Sequence, residues 1–273
     1  MATNKTAFGK TDDAPFPGSI LRPGAKNTEA IMLVQQRLNA LGCGPVEENG
    51  IYDKARTGSA VRLFQSRFPD VTGLPLEIDG EVGSLTWGTL FGAATVPSQS
   101  EAPSDLIAEV LKFAANQIGV REAPLGSNRG PQVDKYLEAV GLDPTQGSFA
   151  WCVAFTYFCY KTGAERLAVE IPHVKTAGVL DHWNRASSKF KITSSRAIAN
   201  PSLVRPGALF IIDLGEGSGH SGIVVEAKDG RLITIEGNTN DNGSRNGIGV
   251  FQREARKIAQ INKGFIDYGP PAS

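Results

Sequence analysis

The sequence predicts an α+β chain in two domains: a small three-helix domain, then a larger domain of helices followed by an antiparallel sheet. Three observations carry this expectation. Apolar residues recur at helical spacing up to about residue 185. From Pro206 the pattern switches to short β-rich runs separated by Gly-rich turns. Between the two helical stretches lies AATVPSQSEAPS, residues 93–104, whose small, polar and Pro-containing composition reads as a linker. A length of 273 residues fits two domains, and 41% hydrophobic content is enough for two cores.

In chain order, residues 1–20 show no periodicity and read as an extended arm. Residues 21–92 form the first compact unit. Thr28 is expected to cap a helix carrying Ile31, Val34, Leu38 and Leu41 inward, with Gly42 or Gly44 as its stop. A second helix fits 55–68, with Ala60, Val61, Phe64 and Phe68 inward and Pro69 ending it. A third fits Ser84–Phe91. Similar turns precede the later helices: Asn49-Gly50-Ile51-Tyr52-Asp53 with Thr57, and Asp79-Gly80-Glu81-Val82-Gly83 with Thr86. That is an internal repeat of turn plus helix, in which Gly supplies positive φ and the Asn or Asp side chain bonds back to the turn.

The second domain, 105–273, opens with two helices around the loop Glu122–Gly130. One carries the stripe Leu106, Val110, Phe113, Ala114 and Ile118; the other carries Val133, Tyr136, Leu137 and Val140. A third helix is expected over 151–162 with Gly163 as its stop, and a short one over 174–185. Strands are expected over 208–213, 221–227, 231–236, 248–253 and 264–268, with Asp229-Gly230 as a hairpin turn.

Basic and acidic residues number 28 each and nearly balance on either side of residue 92. That argues against nucleic acid or an anionic membrane surface as the main partner. No stretch is apolar enough for a signal peptide or a membrane span, so no membrane insertion is expected. Three sparse cysteines, Cys43, Cys152 and Cys159, make no disulfide framework. No HExxH or CxxC pattern signals zinc. Gly215–Gly219 precedes a strand and lacks the Lys that a phosphate loop needs.

One set of residues suits nucleophilic catalysis. Cys152 falls in the opening turn of a helix. His220 starts one strand, and Glu236 ends the next. A cysteine attacks only as thiolate, and a free thiol titrates at roughly 8.5. A helix N-terminus favours negative charge. A neighbouring imidazole takes the proton and later hands it to the leaving amine. A third group, Glu236, orients the ring; Asn238, near the same strand end, is the alternative for that role. Trp151 either stacks on substrate or covers the core. Cys159, seven residues beyond Cys152, reads as a buried structural thiol. His173 and His182 compete with His220 and rank below it.

Two resemblances sharpen these expectations. Val34-Gln35-Gln36-Arg37-Leu38, Val61-Arg62-Leu63-Phe64-Gln65 and Asp79–Trp87 resemble the three-helix peptidoglycan-binding domain found beside many cell-wall hydrolases. The first repeat departs from that pattern at Asn49 and Lys54. Trp151-Cys152, Arg205-Pro206-Gly207-Ala208, Gly219–Val224 and Ile235-Glu236-Gly237-Asn238 resemble the CHAP domain, a branch of the NlpC/P60-like cysteine hydrolases with a papain-like α+β fold. The resemblance implies Cys152 as nucleophile, His220 as base, Glu236 as ring-orienting acid and Asn238 as an assisting group. Trp151, Asn128 and Asn240 are taken as substrate-binding. Some relatives bind calcium through an Asp-x-Asp pair; none stands around Cys152, so no metal or other cofactor is expected.

The implied function is hydrolysis of an amide bond of bacterial peptidoglycan, as stem-peptide endopeptidase or N-acetylmuramoyl-L-alanine amidase, through a thioester. Alternatives are a cysteine protease or deamidase acting on proteins, and a non-catalytic wall-binding protein. A chain without a signal peptide would reach the wall by holin release, as a phage endolysin, or by dedicated secretion, as an antibacterial effector. The effector reading would imply a cognate immunity protein. A monomer is expected.

Overall fold

The computed structural model describes residues 14–228, 230–240 and 247–271. Asp229 of the expected hairpin turn, and residues 1–13 of the expected arm, lie outside the described residues. The chain divides into two compact units: 1–97 with 198–201, and 98–197 with 202–273.

The first unit contains α1 (Thr28–Ala40), α2 (Thr57–Arg67) and α3 (Ser84–Phe91). Asn27, not Thr28, caps α1, its Oδ1 accepting from Ala30 N at 3.1 Å. Ile31, Val34 and Leu38 of α1 join Val61, Phe64, Trp87 and Leu90 in a closed core. Residues 14–20 are not a free arm. The Trp87 indole donates to Ala14 O at 2.9 Å, and Phe16 N donates to Thr95 O at 2.9 Å. A buried indole N–H requires an acceptor, and this segment supplies it. At the other end of the unit Val96, inside the expected linker, is buried in the same core.

The second unit contains α4 (Asp105–Asn116), α5 (Pro131–Ala139), α6 (Cys152–Leu167), α7 (Val179–Arg185), β1 (Lys191–Thr193), β2 (Leu209–Gly215), β3 (Ser218–Lys228), β4 (Arg231–Thr239), β5 (Gly249–Lys257) and β6 (Gly264–Ile266). The short α8 (Ser194–Ala199) follows β1. The sheet is antiparallel throughout, in the order β1-β6-β2-β3-β4-β5. Thus β2 to β5 form the expected meander, and β1 is an added edge strand. One sheet face, with Leu209, Ile211, Ile223 and Ile235, shares a core with α6.

Helix α6 runs five residues past its expected end. Gly163 does not stop it. A Cβ there would sit 3.0 Å from Val110 Cγ2 and 3.2 Å from Val110 N, so this glycine lets α4 pack directly on α6. The helix ends instead at Ala168, in the left-handed region at φ 53°. In α4, Ile107, Val110 and Ala114 are the fully buried residues, while Ile118 of the expected stripe lies beyond the helix end and is exposed. All three cysteines are free and buried. Among the described residues no helix is long and apolar enough to cross a membrane.

Candidate active site

Cys152 is the first residue of α6. The first turn rests on β4 through Gly237, where an added Cβ would stand 2.7 Å from Phe155 and 2.8 Å from the Trp151 ring. On the other face of β4, Glu236 meets His220 of β3: the ring Nε2 lies 2.8 Å from Glu236 Oε2. The register shows why there is room. Gly222 pairs with Phe210, and a Cβ on it would lie 2.7 Å from Glu236 Cγ and 2.8 Å from Phe210 Cε1. A glycine one pleat from His220 leaves the gap in which the carboxylate reaches the ring.

The imidazole Nε2 is engaged by Glu236, which leaves Nδ1 as the nitrogen for Cys152, whose influence raises the ring's pKa together with that of Glu236. Burial pulls the His220 pKa down. The bonds to Cys152 and Glu236 and their charges outweigh it and leave the ring raised to about 9. Burial pushes Glu236 up, but Arg256 and His220 outweigh it and hold the carboxyl down at about 2.

The other residues singled out in the sequence fall as follows. Asn238 sits at φ 54° beyond Glu236 and is half-buried; it is Glu236, not Asn238, that accepts the hydrogen bond from His220 Nε2. Trp151 is fully buried, packs on Tyr136 at 5.8 Å between ring centroids and donates its indole N–H to Glu122 Oε1 at 2.9 Å. A substrate cannot stack on it without opening the core, which removes the stacking role. Asn128 bonds Ser148 at 2.9 Å, tying the loop after Glu122 to the segment before α6. Asn240 is buried, and its carbonyl accepts from Arg253. The site is nearly covered: Cys152 keeps 2% exposure, and the His220 side chain keeps 16%.

The competing histidines are part of the core. His173 and His182 stack at 4.1 Å; His173 faces Thr156 Oγ1 at 3.0 Å and His182 faces the Tyr268 hydroxyl at 2.9 Å. Burial drives His173 well below its ordinary value and His182 down to about 3. Cys159 is fully buried, with its thiol pushed up by burial. Among the described residues no group of three or more His, Cys, Asp or Glu comes together to hold a metal.

Sequence reasoning missed Arg256. Its Nε donates to Glu236 Oε1 at 2.5 Å and its Nη2 to Oε2 at 2.6 Å, while its guanidinium lies 4.7 Å over the Phe210 ring. Arg256 lies beyond every motif stretch, on a strand that breaks register with β4 twice. No local signal marked it.

The first unit carries its own polar construction, twice. Gln35 Nε2 donates to Ile51 O at 3.0 Å and Thr57 Oγ1 at 3.1 Å, and Gln35 Oε1 accepts from Gly50 N at 2.9 Å. Gln65 does the same with Glu81 O at 3.0 Å, Thr86 Oγ1 at 3.3 Å and Gly80 N at 2.9 Å. Beside the first of these, a cavity of about 240 Å³ is lined by residues including Glu47, Asn49, Ile51 and Arg56.

Comparison with protein families gives two matches. Residues 144–238 match the CHAP domain, and residues 27–90 match a peptidoglycan binding domain. No curated protein and no solved structure matches the chain.

Proposed function

We propose, for a chain that carries a CHAP domain behind an N-terminal peptidoglycan-binding domain, a cysteine amidohydrolase of the bacterial cell wall. The two domains together mark a peptidoglycan hydrolase, and CHAP domains mark a family of peptidoglycan amidases and peptidases. The observation that supports the finer reading is the 2.8 Å bond from His220 Nε2 to the buried Glu236, with Cys152 opening α6 and raising the ring's pKa alongside that acid.

In this reading Cys152 Sγ gives its proton to His220 Nδ1 and attacks the amide carbonyl carbon. The N–H groups of the first turn of α6, which have no partner within the helix, favour the negative charge that develops there. Glu236 keeps the ring in place and stabilises its protonated form. His220 then passes the proton to the departing amine, the C–N bond breaks, and a thioester remains. Water, deprotonated by His220, attacks the thioester. The acid leaves and Cys152 recovers its proton.

The N-terminal unit holds the chain on the polymer, and the action is on the wall, whether the chain reaches it by lysis or by secretion. Cleavage falls in the stem peptide or between muramic acid and that peptide. Mass spectrometry of digested muropeptides distinguishes the two bonds. Cys152→Ala abolishes the turbidity loss of purified walls while leaving wall binding in place. Lysis by that variant at wild-type rate sinks the assignment.

A further inference from the structure

We propose that Arg256 is a positioning residue of this site, clamping the Glu236 carboxylate as a fixed acceptor for the His220 ring. The inference rests on the reading of Cys152, His220 and Glu236 as the hydrolytic centre, and extends that set by a side chain from a third strand.

The geometry is specific. Glu236 is fully buried and receives four hydrogen bonds: two from Arg256, one from Thr234 Oγ1 at 2.6 Å and one from His220 Nε2 at 2.8 Å. The paired Arg256 bonds fix the plane of the carboxylate, which a single donor does not do. With Oε1 held by Arg256 and Thr234, Oε2 is the oxygen turned to the ring. The charged groups facing Glu236 are His220 from β3 and Arg256 from β5. The Arg256 guanidinium carbon lies 4.7 Å from the centroid of Phe210, whose ring is 5.7 Å from that of His220. A buried carboxylate beside an imidazole alone is able to take the ring's proton. Offset by a guanidinium, it stays ionised, and the proton stays on the ring for the leaving group.

The test uses the full chain with Arg256→Met and Arg256→Lys. Met keeps an apolar stem over Phe210 without the charge; Lys keeps a charge without the fork. The first readout needs no substrate: carbon NMR of labelled glutamate carboxyls, with Glu236 identified by its absence in Glu236→Gln. In the parent protein that signal is expected to titrate at about 2, because Arg256 and His220 outweigh burial. In Arg256→Met the midpoint rises by about one unit or more, and in Arg256→Lys by less. The second readout is the pH profile of kcat on soluble muropeptides. Arg256→Met gains an acid limb at the new Glu236 midpoint, because below it the protonated acid no longer supports the charged ring; KM is unchanged. If Arg256→Met fails to fold, the smaller shift in Arg256→Lys carries the test. An unmoved Glu236 midpoint overturns the proposal, as does an Arg256→Met profile that superimposes on the parent, since a packing role alone predicts both. A shifted midpoint in a protein that cleaves no muropeptide supports the clamp and sinks the hydrolase reading instead.

Discussion

Each unit is built around a buried polar side chain with every bond filled, but the two use opposite chemistry. In the N-terminal unit the side chain is an amide, Gln35 or Gln65, tied to the turn and the helix start that follow it in the chain. In the catalytic unit it is a carboxylate, Glu236, tied to β3 and β5 as well as to its own strand. A neutral amide held by the next turn and helix start is a fastening: it stabilises its turn and does not titrate. A carboxylate between a guanidinium and an imidazole stores charge that a reaction can use. On the proposed function, the difference separates the part that holds from the part that reacts, and four experiments break or sharpen it.

The largest effect belongs to Glu236→Gln. The ring loses its anionic partner while Arg256 keeps its charge, so the His220 pKa falls from about 9. Muropeptide turnover drops about a thousandfold or more. Steady-state kinetics together with a proton NMR titration of the ring reads both; an unchanged ring titration refutes the coupling.

Next come the amides. Gln65→Ala strands the Gly80 N–H and removes the bonds to Glu81 and Thr86, at a cost of about 2–3 kcal/mol to the N-terminal unit. Gln35→Ala behaves alike because its bonds are the same. Calorimetry of the full chain shows the loss, while kcat on soluble muropeptides stays at the parent value. A fall in kcat contradicts the division of labour.

Gly222→Ala tests the gap that lets acid and ring meet. The new Cβ lands 2.7 Å from Glu236 Cγ and 3.0 Å from Ile235 O, and the second neighbour is backbone that cannot swing away. The expected cost is about 1–3 kcal/mol, with turnover falling roughly tenfold or more as Glu236 shifts. Measured stability and turnover equal to the parent's would mean that the gap is not needed.

The smallest effects come from pH. His220 titrates higher folded than unfolded, so its stabilising contribution is complete below about 6.5 and fades as pH rises through about 9. On the proposed mechanism, turnover falls as pH rises through about 9, where the ring loses the proton meant for the leaving amine. His173 and His182 run the other way. Their depressed values stabilise the fold above about 6.5, and that contribution is lost as pH falls below it, for His182 down to about 3. Thermal unfolding scanned across pH shows the acid loss in the catalytic unit, and His182→Phe flattens it. A limb between about 4.5 and 6.5 that His182→Phe leaves in place belongs to His173, and a loss confined below about 4.5 belongs to Glu236, whose pKa is depressed to about 2.

The sequence by itself determined the parts that depend on near neighbours. The repeated Gly turns with their helices, a cysteine opening a helix, a histidine and an acid on consecutive antiparallel strands, and the α+β order are all legible, because periodicity, capping and turn chemistry act within a few residues of the chain. Only the tertiary structure decided what crosses between elements. It brought Arg256 onto Glu236, made Gly222 the gap and Gly163 a packing contact, buried Trp151 against Glu122 and left Cys152 almost covered. Those outcomes follow from strand register, its bulges and the closeness of α4 to α6. One residue of slip would turn each strand side chain to the opposite face, and no short window of sequence records that.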